Sequence, residues 1–185
     1  AYAERLRLRD EVKRLRTEVE IDTASIPSVV GSSASMRRVF TLVQRVADSD
    51  AGVLIHGETG TGKEVAARFV HSHSKRSDQQ FVVVNCATLR AQDLEMELFG
   101  WEERGPTGER KIGLLEQAHG GTLLLDEIAD MPLDTQSKMV RVLQDQRFER
   151  LGSHRPIEVD VRFITTSNRD LKQLLDAGRL RQDLF

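Results

Sequence analysis

The sequence is short of several features that would assign a protein to a particular environment. It has a single cysteine, Cys86, among 185 residues, which excludes an internal disulfide and is typical of a reducing cytoplasm. No apolar run approaches the roughly 20 residues that a membrane-spanning helix needs. The opening string AYAERLRLRD is too charged for a secretory signal. We therefore expect a cytoplasmic protein without a membrane partner.

An excess of charge of either sign is also missing. The 27 Lys and Arg residues nearly balance the 29 Asp and Glu residues, for a formal net charge of -2. Such a chain has no bulk electrostatic attraction to nucleic acid, so any DNA would be held by a separate domain. Hydrophobic residues make up 39% of the chain and charged residues 30%, which is the balance of a globular domain with a buried core.

Residues 1–20 have a pattern of their own. Apolar residues recur there at alternating steps of four and three: Leu8, Val12, Leu15 and Val19. This is an a/d seam of about two heptads, typical of an amphipathic helix. The helix either packs on its own domain or acts as a linker that dimerises or transmits a signal. We assign residues 1–27 to this linker helix and a connector, and residues 28–185 to a second domain.

The second domain alternates between helices and short apolar strands. The predicted strands cover residues 52–56, 81–85, 122–125 and 159–166, and the predicted helices begin at Ser35 or cover residues 64–73 and 133–145. Strands that alternate with helices predict a parallel sheet covered on both faces. The expected fold class is α/β, a three-layer αβα domain.

A glycine-rich turn joins the first predicted strand to the next helix. Its residues are Gly57, Glu58, Thr59, Gly60, Thr61, Gly62 and Lys63. They fit G-x-x-x-x-G-K, and a strand before and a helix after favour a P-loop over a glycine turn with a chance lysine. Its N–H groups would hold phosphate oxygens, and Lys63 would reach the β- and γ-phosphates. Glu64 stands where a Ser or Thr commonly binds Mg²⁺.

Two acids follow the predicted strand 122–125. A hydrophobic strand that delivers Asp126 and Glu127 matches the Walker B pattern, although alone it equally fits two solvated acids at a helix start. With the P-loop before it, we expect Asp126 to hold Mg²⁺, directly or through water. Glu127 would orient and deprotonate the water that attacks ATP. The expected cofactors are ATP and Mg²⁺.

Longer strings extend the agreement beyond these two motifs. In chain order they are GETGTGKE, VNCATL, ELFG, EQAHGGTLLLDEIADMP, VRVLQDQRFERLGSHRPIEVDVR, TSNRDL and RLRQDLF. Together they resemble the central AAA+ domain of NtrC-type enhancer-binding transcription regulators, from about Ser28 to Phe185. The family's own P-loop ends in Glu, which accounts for Glu64. A P-loop helicase or kinase would lack the string that contains Asp126 and Glu127.

The resemblance implies roles for further residues. Asn85 resembles the residue that restrains the catalytic glutamate, although alone it could simply cap a strand end. Thr166 and Asn168 lie at the sensor I positions, which respond to the γ-phosphate. Arg181 matches the first arginine finger, which reaches the ATP of a neighbouring subunit, although alone it could be a solvated helix residue. A finger in trans needs a ring, so the resemblance implies hexamer-like self-association. It also implies a nucleotide-dependent hairpin at residues 144–157.

One motif of the family is absent. Members that remodel sigma-54 RNA polymerase carry GAFTGA after ELFG, and its Phe and Thr touch the sigma factor. Here residues 100–110 are GWEERGPTGER. Pro106 takes roughly the place of the aromatic residue and cannot replace its contact area. This departure argues against ordinary sigma-54 remodelling and makes the chain similar to the NtrX-type response regulators, which also lack a proper GAFTGA.

Two functions follow from the resemblance. The first is an ATPase whose cycle in a ring is coupled to transcription control in a two-component system, favoured by the intact acids, Asn85 and Arg181. The second is a nucleotide-binding module that sets oligomeric state on DNA without required hydrolysis, favoured by the absent GAFTGA.

The resemblance implies a receiver domain before residue 1, and a helical lid and a helix-turn-helix DNA-binding domain after Phe185. Without the lid, we expect weak or no turnover.

Overall fold

The computed structural model describes residues 34–103 and 108–184. Residues 1–27 lie outside the described residues, so the linker helix and connector proposed there stay predictions. Pro106 of the altered loop also lies outside the described residues. The chain divides into two compact units, Ala1–Leu42 and Val43–Phe185. Among the helices of the described ranges, none has the length and apolar character that crossing a membrane requires.

Helices and strands alternate along the described residues. The helices are α1 (Ala34–Ala47), α2 (Lys63–Ser72), α3 (Ala91–Phe99), α4 (Leu114–Gln117), α5 (Leu133–Asp145) and α6 (Leu171–Asp176), with a 3₁₀ helix at Ile128–Asp130. The strands are β1 (Val53–His56), β2 (Phe81–Asn85), β3 (Trp101–Glu102), β4 (Arg110–Lys111), β5 (Thr122–Asp126), β6 (Arg147–Glu149), β7 (Pro156–Glu158) and β8 (Arg162–Ser167). The predicted helices and the first three predicted strands are confirmed to within one residue.

The fourth predicted strand is wrong at its start, because β8 begins at Arg162 and not at Val159. The Val159 N–H donates to the Gln146 carbonyl at 2.8 Å, and the Val161 N–H donates to the Gln146 side chain at 3.0 Å. These residues are therefore tied to the end of α5 and not to a neighbouring strand. Their side chains are buried in the core, which explains why the apolar pattern extended the predicted strand.

The central sheet is parallel throughout, with the strand order β1-β8-β5-β2. The middle strand β5 is buried on both faces, as three fully buried leucines at positions 123–125 demonstrate. On one face, Leu124 packs with α2 and with Val43. On the other face, Leu123 and Leu125 join a larger cluster that includes residues of α3, α4 and α5. The three-layer α/β prediction is confirmed.

Two small antiparallel ribbons stand beside the central sheet. The hairpin predicted within residues 144–157 is present as β6 and β7, in which Phe148 lies opposite Ile157. Its proposed movement with nucleotide stays a prediction. The second ribbon, β3 with β4, forms the base of the loop in which GAFTGA is missing. A bridge between Trp101 and Leu151 connects the two ribbons.

The parallel arrangement determines where the candidate site lies. Strands β1, β5 and β8 run side by side in one direction, so their carboxyl ends meet at one edge of the sheet. The P-loop follows β1, Asp126 ends β5, and Asn168 follows β8. The three sequence motifs are thereby brought to the same edge.

A glycine at the start of β5 provides a test of this packing. A Cβ atom on Gly121 would lie 2.2 Å from the Gln80 carbonyl oxygen, whereas one on Gly52, before β1, would lie 3.8 Å from the Phe163 carbonyl oxygen. We expect Gly121→Ala to lower the free energy of unfolding by about 1–3 kcal/mol through overpacking. Gly52→Ala should change it by less than about 0.5 kcal/mol. Urea unfolding followed by circular dichroism measures both, and equal effects would contradict this account of the packing.

Candidate functional site

The P-loop, residues 57–63, forms a closed turn between β1 and α2. The Gly57 N–H donates to the Ser167 carbonyl at the end of β8, at 3.1 Å. The Thr61 hydroxyl donates to the Glu58 carbonyl at 2.8 Å. Gly60 and Gly62 have φ angles of 81° and 83°, a left-handed conformation that favours glycine. Gly62 precedes α2 without a side chain to cap it, so the first-turn N–H groups of the helix can hold an anion.

Lys63 connects this turn to the Walker B acids. Its ammonium donates to the carbonyls of Gly57 and Glu58 at 3.0 and 3.2 Å. The same Nζ atom lies 3.2 Å from Oε1 of Glu127, and only 8% of the lysine side chain and 13% of the glutamate side chain are exposed. The P-loop and the second acid therefore face the same space.

Asp126 is held at both carboxylate oxygens. Its Oδ1 accepts the Thr166 hydroxyl at 2.5 Å, and its Oδ2 accepts the Asn85 side-chain amide at 2.8 Å. Thr166 is fully buried in β8, and Asn85 ends β2 directly beside Asp126. The neighbouring strands thus fix the carboxylate in one orientation while each oxygen keeps a further lone pair for a ligand.

Glu127 turns out of the strand that precedes it. Its φ and ψ angles are 54° and 56°, a left-handed conformation that costs a residue other than glycine on the order of 1 kcal/mol. The Glu127 N–H donates to the Thr166 hydroxyl oxygen at 2.9 Å, and its carboxylate accepts the Asn168 N–H at 2.9 Å. The turn directs the carboxylate away from the line of β5 and toward Lys63.

The structure differs from the contact implied for Asn85. A residue that restrains the catalytic glutamate should contact Glu127, but the Asn85 amide donates to Asp126 and its oxygen accepts the Ala87 N–H at 2.9 Å. The reason is the register of the sheet, in which Asn85 lies opposite Asp126. Glu127 lies one residue further and turns toward β8. In this conformation the described hydrogen bonds of the Asn85 side chain go to Asp126 and Ala87, and its restraining role stays a prediction.

Asn168 brings the end of β8 into contact with the P-loop. Its side-chain amide donates to the Thr59 hydroxyl at 3.0 Å, and its backbone N–H holds Glu127. Thr166, two residues earlier, contacts both acids. The two predicted sensor residues therefore touch the acids and the phosphate turn, and their response to the γ-phosphate stays a prediction.

The structure does not bring Glu64 and Arg181 to the centre of the site. The Glu64 carboxylate pairs with Arg68 one helical turn later, at 2.8 Å. The Arg181 guanidinium pairs with Asp183 at 2.7 Å and donates to the Ser137 hydroxyl at 3.1 Å. This guanidinium also lowers the pKa of the Asp183 carboxyl below its usual range. Among the described residues, Arg181 therefore has partners outside the P-loop and the acid pair.

Sequence reasoning missed Gln136, which is fully buried in α5. Its side chain binds backbone groups of Met131, Arg179 and Arg181. The available signal was a glutamine on the apolar face of a predicted amphipathic helix. Such a position usually means that the side chain satisfies buried polar groups.

Cys86 reports the electrostatic environment of the acids. Burial, and after it the negative charges of Asp126, Asp130 and Glu127, raises the pKa of this thiol to about 12. A site with this negative potential favours a cation. Within the described ranges, no group of three or more His, Cys, Asp and Glu side chains could cage a metal ion. A Mg²⁺ ion held by Asp126 would therefore complete its coordination with phosphate oxygens and water, as this ion commonly does.

Comparisons with known proteins agree with the family resemblance of the sequence. A family model described as "Sigma-54 interaction domain" matches residues 29–185. The nitrogen assimilation regulatory protein NtrX of Azorhizobium caulinodans is 46% identical over 182 residues, which are 98% of this chain and 39% of that protein. The DNA-binding transcriptional regulator NtrC of Rhizobium meliloti is 42% identical over 177 residues, 95% of this chain and 37% of that protein. The chain thus spans well under half of these relatives.

Solved structures agree as well. NtrX from Brucella abortus in complex with ATP superposes with a TM-score of 0.82 at 42% identity, over 95% of this chain and 40% of that one. The P-loop NTPase domain of a sigma-54 transport activator from E. coli has a TM-score of 0.52 at 21% identity, over 78% of this chain and 95% of that one. At that identity the second likeness shows the fold alone.

The raised pKa of Cys86 predicts a loss of stability in alkali. The folded state keeps the thiol neutral to about pH 12, whereas the unfolded chain ionises it from its ordinary pKa of 9.0. The contribution of the buried neutral thiol to the free energy of unfolding is therefore complete below pH 9. Above pH 9 the free energy of unfolding decreases by about 1.4 kcal/mol per pH unit. We expect the free energy of unfolding of the wild type minus that of Cys86→Ala to shrink between about pH 7 and about pH 10. A difference that is independent of pH would contradict the assignment.

Proposed function

The chain belongs to the sigma-54 interaction domain family, and from that premise we propose that it binds and hydrolyses ATP with Mg²⁺. The nucleotide cycle takes place in a ring of subunits and is coupled to transcription control. The observation that carries the proposal is the 3.2 Å ion pair between Lys63 and Glu127. It joins the phosphate-binding turn to the acid that would activate water.

Nucleotide binding would exchange the partners of Lys63. Its ammonium would leave the neutral Gly57 and Glu58 carbonyls for the β- and γ-phosphate oxygens. Hydrogen bonds from the ammonium to these negatively charged oxygens are stronger than those to the carbonyls. Asp126, held by Thr166 and Asn85, would bind the metal. Mg²⁺, when bound, supplies positive charge against the β- and γ-oxygens. Structures of NtrX from Brucella abortus in complex with ATP and in complex with ADP support these two nucleotides as the ligands.

Glu127 would orient the attacking water and accept its proton. While Lys63 pairs with it, this carboxylate is engaged as a counter-ion. If Lys63 moved to phosphate, the Glu127 carboxylate would keep one of the contacts described, the hydrogen bond that it accepts from the Asn168 N–H. The restraining role implied for Asn85 requires its amide to leave Asp126. Asn168, which also contacts Thr59 of the P-loop, would respond to the γ-phosphate.

Arg181 would complete the site of a neighbouring subunit. Its side chain is partly exposed and directed to Asp183 and Ser137 in its own chain. A planar guanidinium can spread positive charge over the transferring phosphate oxygens, which a solvated lysine does less well. Self-association into a hexamer-like ring follows from this role.

Further proposed partners are an RNA polymerase sigma factor and, through a separate helix-turn-helix domain, DNA. The description of the matching family supports the sigma factor, and the name of the relative NtrC supports DNA.

A second function is favoured by one observation. Residues 100–110 lack GAFTGA, and Pro106 takes roughly the place of its aromatic residue, so a sigma-54 contact of the ordinary kind would lose the contact area of that side chain. The alternative is a module in which bound nucleotide sets the oligomeric state and hydrolysis is dispensable. The two functions differ in whether transcription control needs Glu127.

Replacing Glu127 separates binding from hydrolysis. In the intact protein, we expect Glu127→Gln to lower kcat by about 10²–10⁴, because the base is lost, while ATP still binds. Glu97→Gln is the matched control, because Glu97 pairs with Lys111 on the surface and should leave turnover unchanged. Phosphate release and calorimetry measure the two quantities. If Glu127→Gln hydrolyses normally, the catalytic assignment is wrong. If it is inactive but regulates transcription normally, the alternative function is correct.

Replacing Arg181 tests the finger in trans. We expect Arg181→Ala to lower kcat in the intact protein by on the order of 10³, which is the effect of losing an arginine finger. Nucleotide affinity should change little. Arg179→Ala is the control, because Arg179 is exposed and uses its backbone carbonyl in the contact with Gln136. Steady-state phosphate release gives both values, and a normal kcat for Arg181→Ala would reject the role.

A further inference from the structure

Gln136 is a polar side chain without access to solvent. It lies in the first half of α5 with an exposed fraction of 0%. Its Nε2 donates to the Met131 carbonyl at 2.8 Å and to the Arg179 carbonyl at 3.1 Å. Its Oε1 accepts the Arg181 N–H at 3.0 Å. One buried carboxamide thus uses both of its donors and one lone pair on the backbone of two other segments.

The first of these segments begins at Glu127. The 3₁₀ turn at Ile128–Asp130 is closed by hydrogen bonds from the Asp130 N–H to the Glu127 carbonyl at 3.0 Å and from the Met131 N–H to the Ile128 carbonyl at 3.1 Å. Met131 is therefore the residue at which the turn after the acids ends. Gln136 binds the Met131 carbonyl and is thereby connected to the backbone that positions Glu127.

The second segment carries Arg181. Gln136 holds the backbone on both sides of Leu180, which is itself buried. The next residue of the helix, Ser137, accepts a hydrogen bond from the Arg181 guanidinium at 3.1 Å. Adjacent residues of α5 thus fix the backbone and the side chain of the same arginine.

We propose that Gln136 is a positioning residue, which sets the reach of Arg181 into the neighbouring subunit and ties it to the turn that begins at Glu127. This inference rests on the proposed role of Arg181 in trans. An apolar side chain of similar size would fill the same volume, but it would leave the Arg181 N–H and two carbonyls without their partner. The backbone before Arg181 would then be free to shift, and a displacement of about 1 Å in a catalytic group costs about 10² in rate.

The direct test compares isosteric variants in the intact protein. Gln136→Met removes all three hydrogen bonds, and Gln136→Glu keeps the acceptor for Arg181 but loses the donors to both carbonyls. Thr135→Val is the matched control, because Thr135 is equally buried in the same helix and its hydroxyl binds Glu95, away from Arg181. We expect kcat to fall by about 10² in Gln136→Met, at least as far in Gln136→Glu, because its buried carboxylate would face two carbonyl oxygens, and little in Thr135→Val. ATP affinity and KM should stay within a few-fold of the wild type.

Mixed rings separate positioning in trans from damage to the subunit's own site. A Gln136→Met subunit keeps its own acids but has a displaced finger, whereas a Glu127→Gln subunit has an intact finger and no base. When the two variants are mixed at random in equal amounts, about one quarter of the interfaces combine the acids of a Gln136→Met subunit with the finger of a Glu127→Gln subunit. These interfaces have both parts intact. We therefore expect phosphate release to rise far above that of either variant alone. Arg181→Ala mixed with Glu127→Gln is the positive control, and Gln136→Glu replaces Gln136→Met in the mixture if the latter does not fold.

Each outcome decides one point. Normal kcat in both Gln136 variants would overturn the inference. Slow variants that Glu127→Gln subunits do not rescue, while Arg181→Ala is rescued, would also overturn it, because Gln136 would then act within its own site. If Arg181→Ala itself is not rescued, the proposed finger in trans fails, independently of Gln136.

Discussion

The hydroxyl of Thr166 lies at the point on which the geometry of the site depends. It donates to Asp126 and accepts from the backbone of Glu127, so one buried atom sets the spacing of both acids. It can do so because β5 and β8 are adjacent and parallel, with Leu125 opposite Thr165. A shift of one residue between these strands would turn Thr166 to the other face of the sheet and separate it from the acids. The register of two strands therefore determines whether the chain has a site at all.

The motifs were predictable because they are local, and their contacts were not. A strand, a glycine-rich turn and a helix are consecutive in sequence, so the position of Lys63 after β1 followed directly from the pattern. The partner of Asn85 depends on which residue lies beside it across the sheet, and that pairing joins residues 41 positions apart. Gln136 gave only the weak signal of an amide on an apolar face. The two-residue strands β3 and β4 are too short to show any periodicity.

The base of the altered loop retains a dense set of connections although its motif is lost. Arg150, at the start of the β6–β7 turn, pairs with Glu102 of β3 at 2.9 Å and with Glu116 of α4 at 2.6 Å. Backbone hydrogen bonds between Leu151 and both Gly100 and Glu102 run alongside. The hairpin follows α5, whose first half carries Gln136. Directional contacts therefore join the base of the loop to the hairpin that follows α5. These contacts are present although the sequence at the tip of the loop lacks GAFTGA.

The ion pair between Lys63 and Glu127 also constrains the order of events. Both side chains are almost buried, so separating them without a replacement would leave two charges unpaired at a cost of several kcal/mol. In the proposed cycle, a triphosphate would provide that replacement for Lys63, because its oxygens carry more negative charge than the glutamate. Glu127 would then lose its cation when the substrate arrives and would keep the Asn168 N–H, from a residue that also touches the P-loop through Thr59. The contact that recognises the substrate would therefore also release the proposed base. Until a phosphate takes its place, Glu127 would stay engaged as the counter-ion of Lys63.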